Sequence, residues 1–293
     1  MKNFDDNEYT PRILNIIKAA FYNDNPTETR LTELRKYSEI NVRRILNIGS
    51  DSSFMLGQLK DPKKKLLDHL DNVRKNDLIE IIDRIKKIAN EGTHTQRIDE
   101  FTNKEYNEAL DAVFDLIAYQ FVDYFKEYPM KLTSPNNIMH DFSLLPPIIR
   151  FKTLDRLLKD DPDNIQILNR IILARIKTFG KSDAYLWLKQ NELKIRNITY
   201  PTDQEIMDYI DKCGVEIKPG LIAFSIKLNC FDNVYDLLRD KIDDPRTSIN
   251  ENGKLYDSFE TAILHYHIYK SSESSYEINK LHSLMDFVYI GRD

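Results

Sequence analysis

The sequence is poor in glycine, with 8 in 293 residues. Backbone that wraps tightly around phosphate needs glycine, so neither a dinucleotide-binding fold nor a P-loop is expected. No GxGxxG is present, and Gly180-Lys181-Ser182 lacks the upstream glycine of a phosphate-binding loop. That tripeptide reads as a helix C-cap at Gly180 followed by an N-cap at Ser182. Cysteine is scarcer still, with Cys213 and Cys230 alone and no CxxC pair. Two such thiols indicate reduced cysteines in the cytoplasm rather than a disulfide framework. No apolar run approaches the roughly 20 residues that cross a bilayer. The acidic, polar start "MKNFDDNEYTPR" is unlike a signal peptide, so no membrane association is expected.

Positive charge is also short. The net charge is −5: residues 1–130 carry 20 Lys and Arg against 23 Asp and Glu, and the remainder 22 against 24. Neither half is basic, so overall charge does not steer the chain to nucleic acid. The densest basic run, Lys63–Lys65, reads as a solvated helix face. No Gly-x-Ser-x-Gly and no Ser-His-Asp or Cys-His arrangement stands out. The carboxylates of "DDPDN" and "DDPR" read as helix ends and turns, without the alternating ligands of a calcium loop. His265 and His267 sit at i and i+2, which face different sides of a helix and do not chelate. Neither a metal nor a cofactor is expected.

Helical periodicity is abundant. Apolar stripes at i, i+3, i+4, i+7 run through Ile13, Ile16, Ile17 and Ala20, then through Leu31, Leu34, Tyr37 and Ile40. Others run through Leu78, Ile81, Ile82, Ile85 and Ile88, and from Ala109 through Val113, Leu116, Ile117, Gln120 and Phe121 to Tyr124. Thr10 reads as the N-cap of a helix with Pro11 in its first turn. Thr102 and Glu105 form a capping box. The aromatics of "YQFVDYFKEY" fall at helical spacing and read as core, with a protein interface as the functional alternative. The fold expected is all-α. Residues 1–130 form a helical bundle, 131–147 a proline-rich junction, and 148–293 a helical array. Four prolines lie between Tyr128 and Pro147. From about residue 203 a faint repeat of paired short helices appears, with Ser225 and Ala262 at comparable small positions. It resembles ankyrin-type repeats of about 33 residues, without their Thr-Pro-Leu-His opening. Whether these helices stack as a solenoid or close into a bundle stays open.

The run "AAFYNDNPTETRLTELRKYSEINVRRIL" carries a second resemblance, through Ala19, Ala20, the Asp24-Asn25-Pro26 turn, Leu34, Arg35, Tyr37 and Glu39. "RIKKIANEGTH" and the helix "NKEYNEALDAVFDLIAYQFVDYF" continue it. Residues 8–128 resemble the HEPN-superfamily helical domain that precedes the nuclease and helicase parts of type I restriction subunits. The resemblance implies a prokaryotic antiviral, restriction-associated setting and a homodimer through this domain. In active members an Arg precedes a His by a few residues. Carried over, His94 would be the acid/base, Lys87 the charge stabiliser, and Asn90 the group orienting phosphate. A histidine near neutrality can take the ribose 2′-OH proton, and a cation beside it stabilises the charge building on the phosphorus oxygens. Lys87 stands where Arg is expected and offers a point charge instead of a fork. Ala89 replaces the usual Gly, and Arg84 lies too far back. The competing role for His94 is a helix C-cap, with Gly92 breaking the helix. The function expected first is therefore a non-catalytic interaction module that docks a protein partner or a protein–nucleic-acid assembly. A metal-independent endoribonuclease is second, and an inhibitor of a defence enzyme third.

Overall fold

The computed structural model describes residues 2–61, 63–91, 99–198, 202–213, 231, 233–249 and 259–292. Among them are fourteen α-helices and no strand, so the chain is all-α as its periodicity implies. No helix of the described residues is long and apolar enough to cross a membrane. The chain divides into two compact units, Met1–Phe121 with Ser283–Asp293, and Val122–His282.

The first unit begins with α1 (Asp6–Ile17). Its N-cap is Asp5, whose carboxylate accepts from the Asn7 N–H at 2.9 Å. The helix therefore starts earlier than the Thr10-Pro11 pair suggests, and Pro11 lies inside it. A carboxylate cap with Asp6 and Glu8 in the first turn satisfies the orphan donors and the helix dipole together. The Thr10 hydroxyl instead donates to the Asp6 carbonyl. A π-helical turn follows at Lys18–Tyr22. The carbonyls there are taken up by side chains: Asn25 donates to Ala19, and Arg30 and Tyr106 donate to Ala20.

Next come α2 (Thr27–Ile45), α3 (Asn72–Glu91) and α4 (Asn103–Glu127), with α1 packed on α2 and α2 on α3. Leu78, Ile81, Ile82 and Ile85 of α3 are buried as their stripe predicts; the Ile88 side chain lies outside the described residues. On α4 every residue from Leu116 to Phe121 is buried, Gln120 included. Lys63–Lys65 are exposed in turns rather than on a helix, and Lys65 has φ +49°.

Arg44 joins the polar groups of this unit. It pairs with Asp6 at 2.9 Å, donates to Gln120 Oε1 at 3.0 Å and to the Ser283 hydroxyl at 3.1 Å, and lies 4.6 Å over the Phe287 ring. Gln120 passes the network on to Asn41 at 3.0 Å. Every buried polar end in the chain of contacts is thus satisfied, as a low-dielectric interior requires.

The second unit holds α5 (Asn136–Phe142), α6 (Pro147–Asp160), α7 (Ile165–Phe179), α8 (Lys181–Gln190), α9 (Glu192–Arg196) and α10 (Asp203–Cys213). It continues with α11 (Val234–Asp243), α12 (Pro245–Ile249), α13 (Phe259–Tyr269) and the start of α14 (Tyr276–Tyr289). The stretch 131–147 thus carries α5 and lies within this unit. Packing runs from α6 to α7, from α7 to α8, and from α11 to α7, α8 and α9. One core cluster joins Ile165, Leu168, Ile172 and Ile176 of α7 to Ala184 and Leu188 of α8, Ile195 of α9, and Val234, Leu238 and Ile242 of α11. Gly180, at φ +91°, ends α7 and is itself the residue before α8. Ser182 is therefore inside α8 and is not its N-cap. The left-handed backbone at Gly180 turns the chain so sharply that no capping residue intervenes. Ser225 and Cys230 lie outside the described residues, as does the Cys213 side chain.

The capping box at the head of α4 forms in full. The Thr102 N–H donates to Glu105 at 2.8 Å, and the Glu105 N–H donates to the Thr102 hydroxyl at 3.3 Å. Thr102→Ala is expected to lower stability by about 1 kcal/mol, measured by urea denaturation of the whole chain. A change near zero would show that the box adds nothing to the helix it heads.

Candidate functional site

The second unit contains a cleft built around α7. Asn164 caps this helix by accepting from the N–H groups of Gln166 and Ile167. Ile165, Leu168, Ile172 and Ile176 occupy one buried stripe, and Ile167, Ile171 and Ala174 a second. What is left is a stripe at i, i+3, i+4, i+7 and i+11: Gln166, Asn169, Arg170, Leu173 and Lys177. It forms one wall. Arg150 and Leu154 of α6, Lys241 of α11, and Asn136, Met139, His140 and Phe142 of α5 complete the rest. The cleft has a volume of about 470 Å³.

Its charge is one-sided. Arg150, Arg170 and Lys241 come from three different helices, and none of the described lining residues is Asp or Glu. Arg150 is only 6% exposed. Arg170 donates to the carbonyl and side-chain oxygen of Gln166, at 2.9 and 3.0 Å. Lys241 Nζ donates to Asn169 Oδ1 at 3.0 Å. These acceptors are neutral. Burial accordingly lowers the Arg170 pKa. Burial, reinforced by the Arg170 charge, brings Lys241 down to about 8. Lys177 falls to about 8 through burial and the Arg150 charge. Carboxylates do touch two lining residues: Glu205 accepts from Gln166 at 2.9 Å, and Asp141 from His140 at 3.0 Å. Burial pushes the Glu205 pKa up, against the hydrogen bonds from Gln166 and the Thr202 backbone. Cations crowded into a half-buried space repel one another and lose solvation, and an anion placed among them relieves both effects. The arrangement is chemically an anion receptor.

One rim of the cleft is anchored by a buried carboxylate. Asp141 is fully buried and accepts from the Ser271 N–H at 3.0 Å, His282 Nε2 at 2.6 Å and His140 Nδ1 at 3.0 Å. A carboxylate can only accept, so both imidazoles present an N–H to it. For His140 this makes Nδ1 the donor.

The residues singled out for nuclease chemistry lie elsewhere. Lys87 is exposed on α3, and Asn90 is on the same helix with its side chain outside the described residues. His94 and Gly92 lie outside them altogether. Arg84 is committed to two carboxylates of α4, Asp111 at 2.7 Å and Asp115 at 2.6 Å. Burial works against its charge, but the hydrogen bonds to Asp115 and Asp111 outweigh this and hold its pKa high. His265 stacks on Tyr269 and His267 is exposed, while His282 belongs to the Asp141 cluster. No three His, Cys, Asp or Glu among the described residues are grouped to hold a metal. Tyr119, Phe121, Tyr124 and Phe125 are all buried, so that aromatic run is core.

Sequence reasoning did not find the cleft. Its only sequence trace is the polar stripe of α7, which has the form of any solvated helix face. Nothing in the order of residues announces that α5, α6 and α11 close around it. The chain matches no protein-family model, no curated protein and no solved structure.

The lysines supply a pH test. Lys177 and Lys241 titrate near 8 in the fold against an ordinary value of 10.5. Between about pH 8 and 10.5 the unfolded chain therefore holds more protons, and stability rises with pH across that window. Lys241→Met is expected to raise stability at pH 7 and to flatten that rise. Denaturation midpoints at pH 7, 8 and 9 for both proteins check it, and parallel curves would return Lys241 to its ordinary pKa.

Proposed function

We propose that this chain is a non-catalytic interaction module that docks a partner through an anionic group seated in the cleft of the second unit. The observation that carries this reading is that Arg170 and Lys241 reach one cleft on neutral acceptors, with no carboxylate among its described lining residues. The partner is a protein or a protein–nucleic-acid assembly. The HEPN resemblance of residues 8–128 supports a prokaryotic restriction-associated defence setting in the cytoplasm, with a homodimer through that domain. The ankyrin-like pattern from residue 203 onward fits a docking role for the second unit. The pairing of Arg84 with Asp111 and Asp115 occupies the guanidinium that precedes Lys87 on α3.

The alternative is a metal-independent endoribonuclease with His94 as acid/base, Lys87 as charge stabiliser and Asn90 orienting phosphate. Inhibition of a defence enzyme by docking is the third reading. RNA incubated with excess protein and a chelator is expected to remain intact. Cleavage that His94→Ala abolishes would replace docking with the ribonuclease.

Docking has its own test. A chain of net charge −5 has no general reason to bind an anionic matrix. Retention on heparin is nevertheless expected, and is expected to be lost in the Arg170→Glu, Lys241→Glu double variant. Passage of the wild-type chain straight through the column would refute an anion-docking cleft.

A further inference from the structure

Arg170 and Lys241 are held in the cleft by neutral oxygens. Arg170 donates to the carbonyl and side chain of Gln166, and Lys241 donates to the side chain of Asn169. Gln166 and Asn169 are amides three residues apart on one face of α7. An acid in either place would have made a finished ion pair, as Asp183 does with Arg175 on the same helix. An amide gives the same hydrogen bond and leaves the positive charge uncancelled. Gln166 is fixed in turn, because it donates to Glu205, which is buried. Side chains ordered in advance lose less freedom when a ligand arrives. Burial, and then the Arg170 charge, bring the Lys241 pKa down to about 8, so the two cations sense one another. An anion shared between them relieves that repulsion.

The surroundings select among anions. Both cations are half-buried. The cost of removing an ion from water grows steeply with its charge, so a monoanion enters such a space at far lower cost than a dianion. A carboxylate carries one charge and two oxygens in a plane, which one arginine fork can take together. A phosphate monoester carries about 1.5 to 2 charges and a third acceptor oxygen. Met139 and Leu173 line the same cleft and are only half-buried, so both offer apolar surface to it. Methionine adapts its shape to whatever packs on it. Apolar surface beside cations suits an anion borne on an aliphatic stem. Glutamate and aspartate side chains have that form, and nucleic acid has no carboxylate.

We propose that the cleft receives an acidic side chain of a partner protein. Arg170 takes both carboxylate oxygens, Lys241 supplies the second positive charge, and Met139 and Leu173 flank the aliphatic stem. The inference rests on the anion-docking reading above and narrows it to a carboxylate carried on a polypeptide.

Fluorescence anisotropy of a rhodamine-labelled, terminally blocked hexaglutamate titrated with the full chain tests this. The hexaglutamate is expected to bind at low salt, and a hexaglutamine of the same design is not. Arg170→Met and Lys241→Met are each expected to weaken binding by about tenfold, the loss of one charge-assisted contact. Asn169→Asp is the sharper variant. It keeps the size of the side chain and its contact with Lys241, but pairs that lysine with a carboxylate of the chain itself. Binding is expected to fall by about tenfold while the urea midpoint at pH 7 does not fall. This variant keeps the test sound should a methionine variant fail to fold.

Three results overturn the proposal. In the first, hexaglutamate does not bind although heparin retention and its loss in the Arg170→Glu, Lys241→Glu variant hold. This removes the carboxylate and leaves anion docking standing. In the second, hexaglutamate binds equally to wild type and to Asn169→Asp, which places it outside the cleft. In the third, a phosphoserine peptide or a 5′-phosphorylated oligonucleotide binds more tightly than hexaglutamate, which makes the ligand a phosphate. Absence of both heparin retention and hexaglutamate binding overturns the docking reading along with this one.

Discussion

A helix buried along two stripes leaves few sectors for its polar side chains. In the second unit α7 is such a helix. Its stripe of Ile165, Leu168, Ile172 and Ile176 packs in the cluster shared with α8, α9 and α11, and Ile167, Ile171 and Ala174 are buried as well. Gln166, Asn169, Arg170 and Lys177 have to share the sector that remains. Because α6 and α11 pack against the same helix, their own polar residues, Arg150 and Lys241, reach the edge of that sector. The cationic cleft is thus a consequence of hydrophobic packing. Once the isoleucines are buried, Arg170 falls in the cleft sector, while Arg175 turns to another and pairs with Asp183.

The chain treats its buried cations in two ways. In the first unit they are paired: Arg44 with Asp6 and Gln120, and Arg84 with Asp111 and Asp115. Such pairs tie helices together and are finished structures, with their hydrogen bonds already made. In the second unit Arg170 and Lys241 meet only a carbonyl and amide oxygens. A neutral acceptor orients a cation without cancelling its charge, and the field in the cleft persists. Arg175 provides an internal comparison. It sits on α7 as well, yet it pairs with Asp183 at 2.6 Å and lies within 6 Å of three aromatic rings. One helix therefore carries both a neutralised guanidinium and an exposed field, separated by its circumference.

The sequence made the fold class legible because amphipathic helices write their period into the order of residues. The stripes of α1 to α4 and the Thr102–Glu105 box form as read. Helix starts were less legible where two capping signals competed. Asp5 prevailed over Thr10 because an acidic first turn follows it, and Gly180 displaced Ser182 because its own left-handed turn already joined two helices. Lys63–Lys65 misled for a related reason: a run of charge has no period, so it does not distinguish a helix face from a turn. The cleft was not legible at all. Its residues span Asn136 to Lys241 and meet only after packing, and their one local trace imitates a solvated surface. The chemistry looked for near His94 drew attention because it was local.

The first unit is discontinuous in the chain, and this governs the order in which it can be completed. Phe287 belongs to it, edge-on to Phe4 at 6.2 Å and beneath Arg44, and Arg292 lies 3.9 Å over Phe21. On the ribosome the segments bearing Phe4, Phe21 and Arg44 are made before the segment that covers them. The unit waits for that cover while residues 122–282 are translated. Sealing it requires a long loop to close, which is slow compared with local helix formation. The discontinuity therefore makes completion of the first unit depend on synthesis of the second.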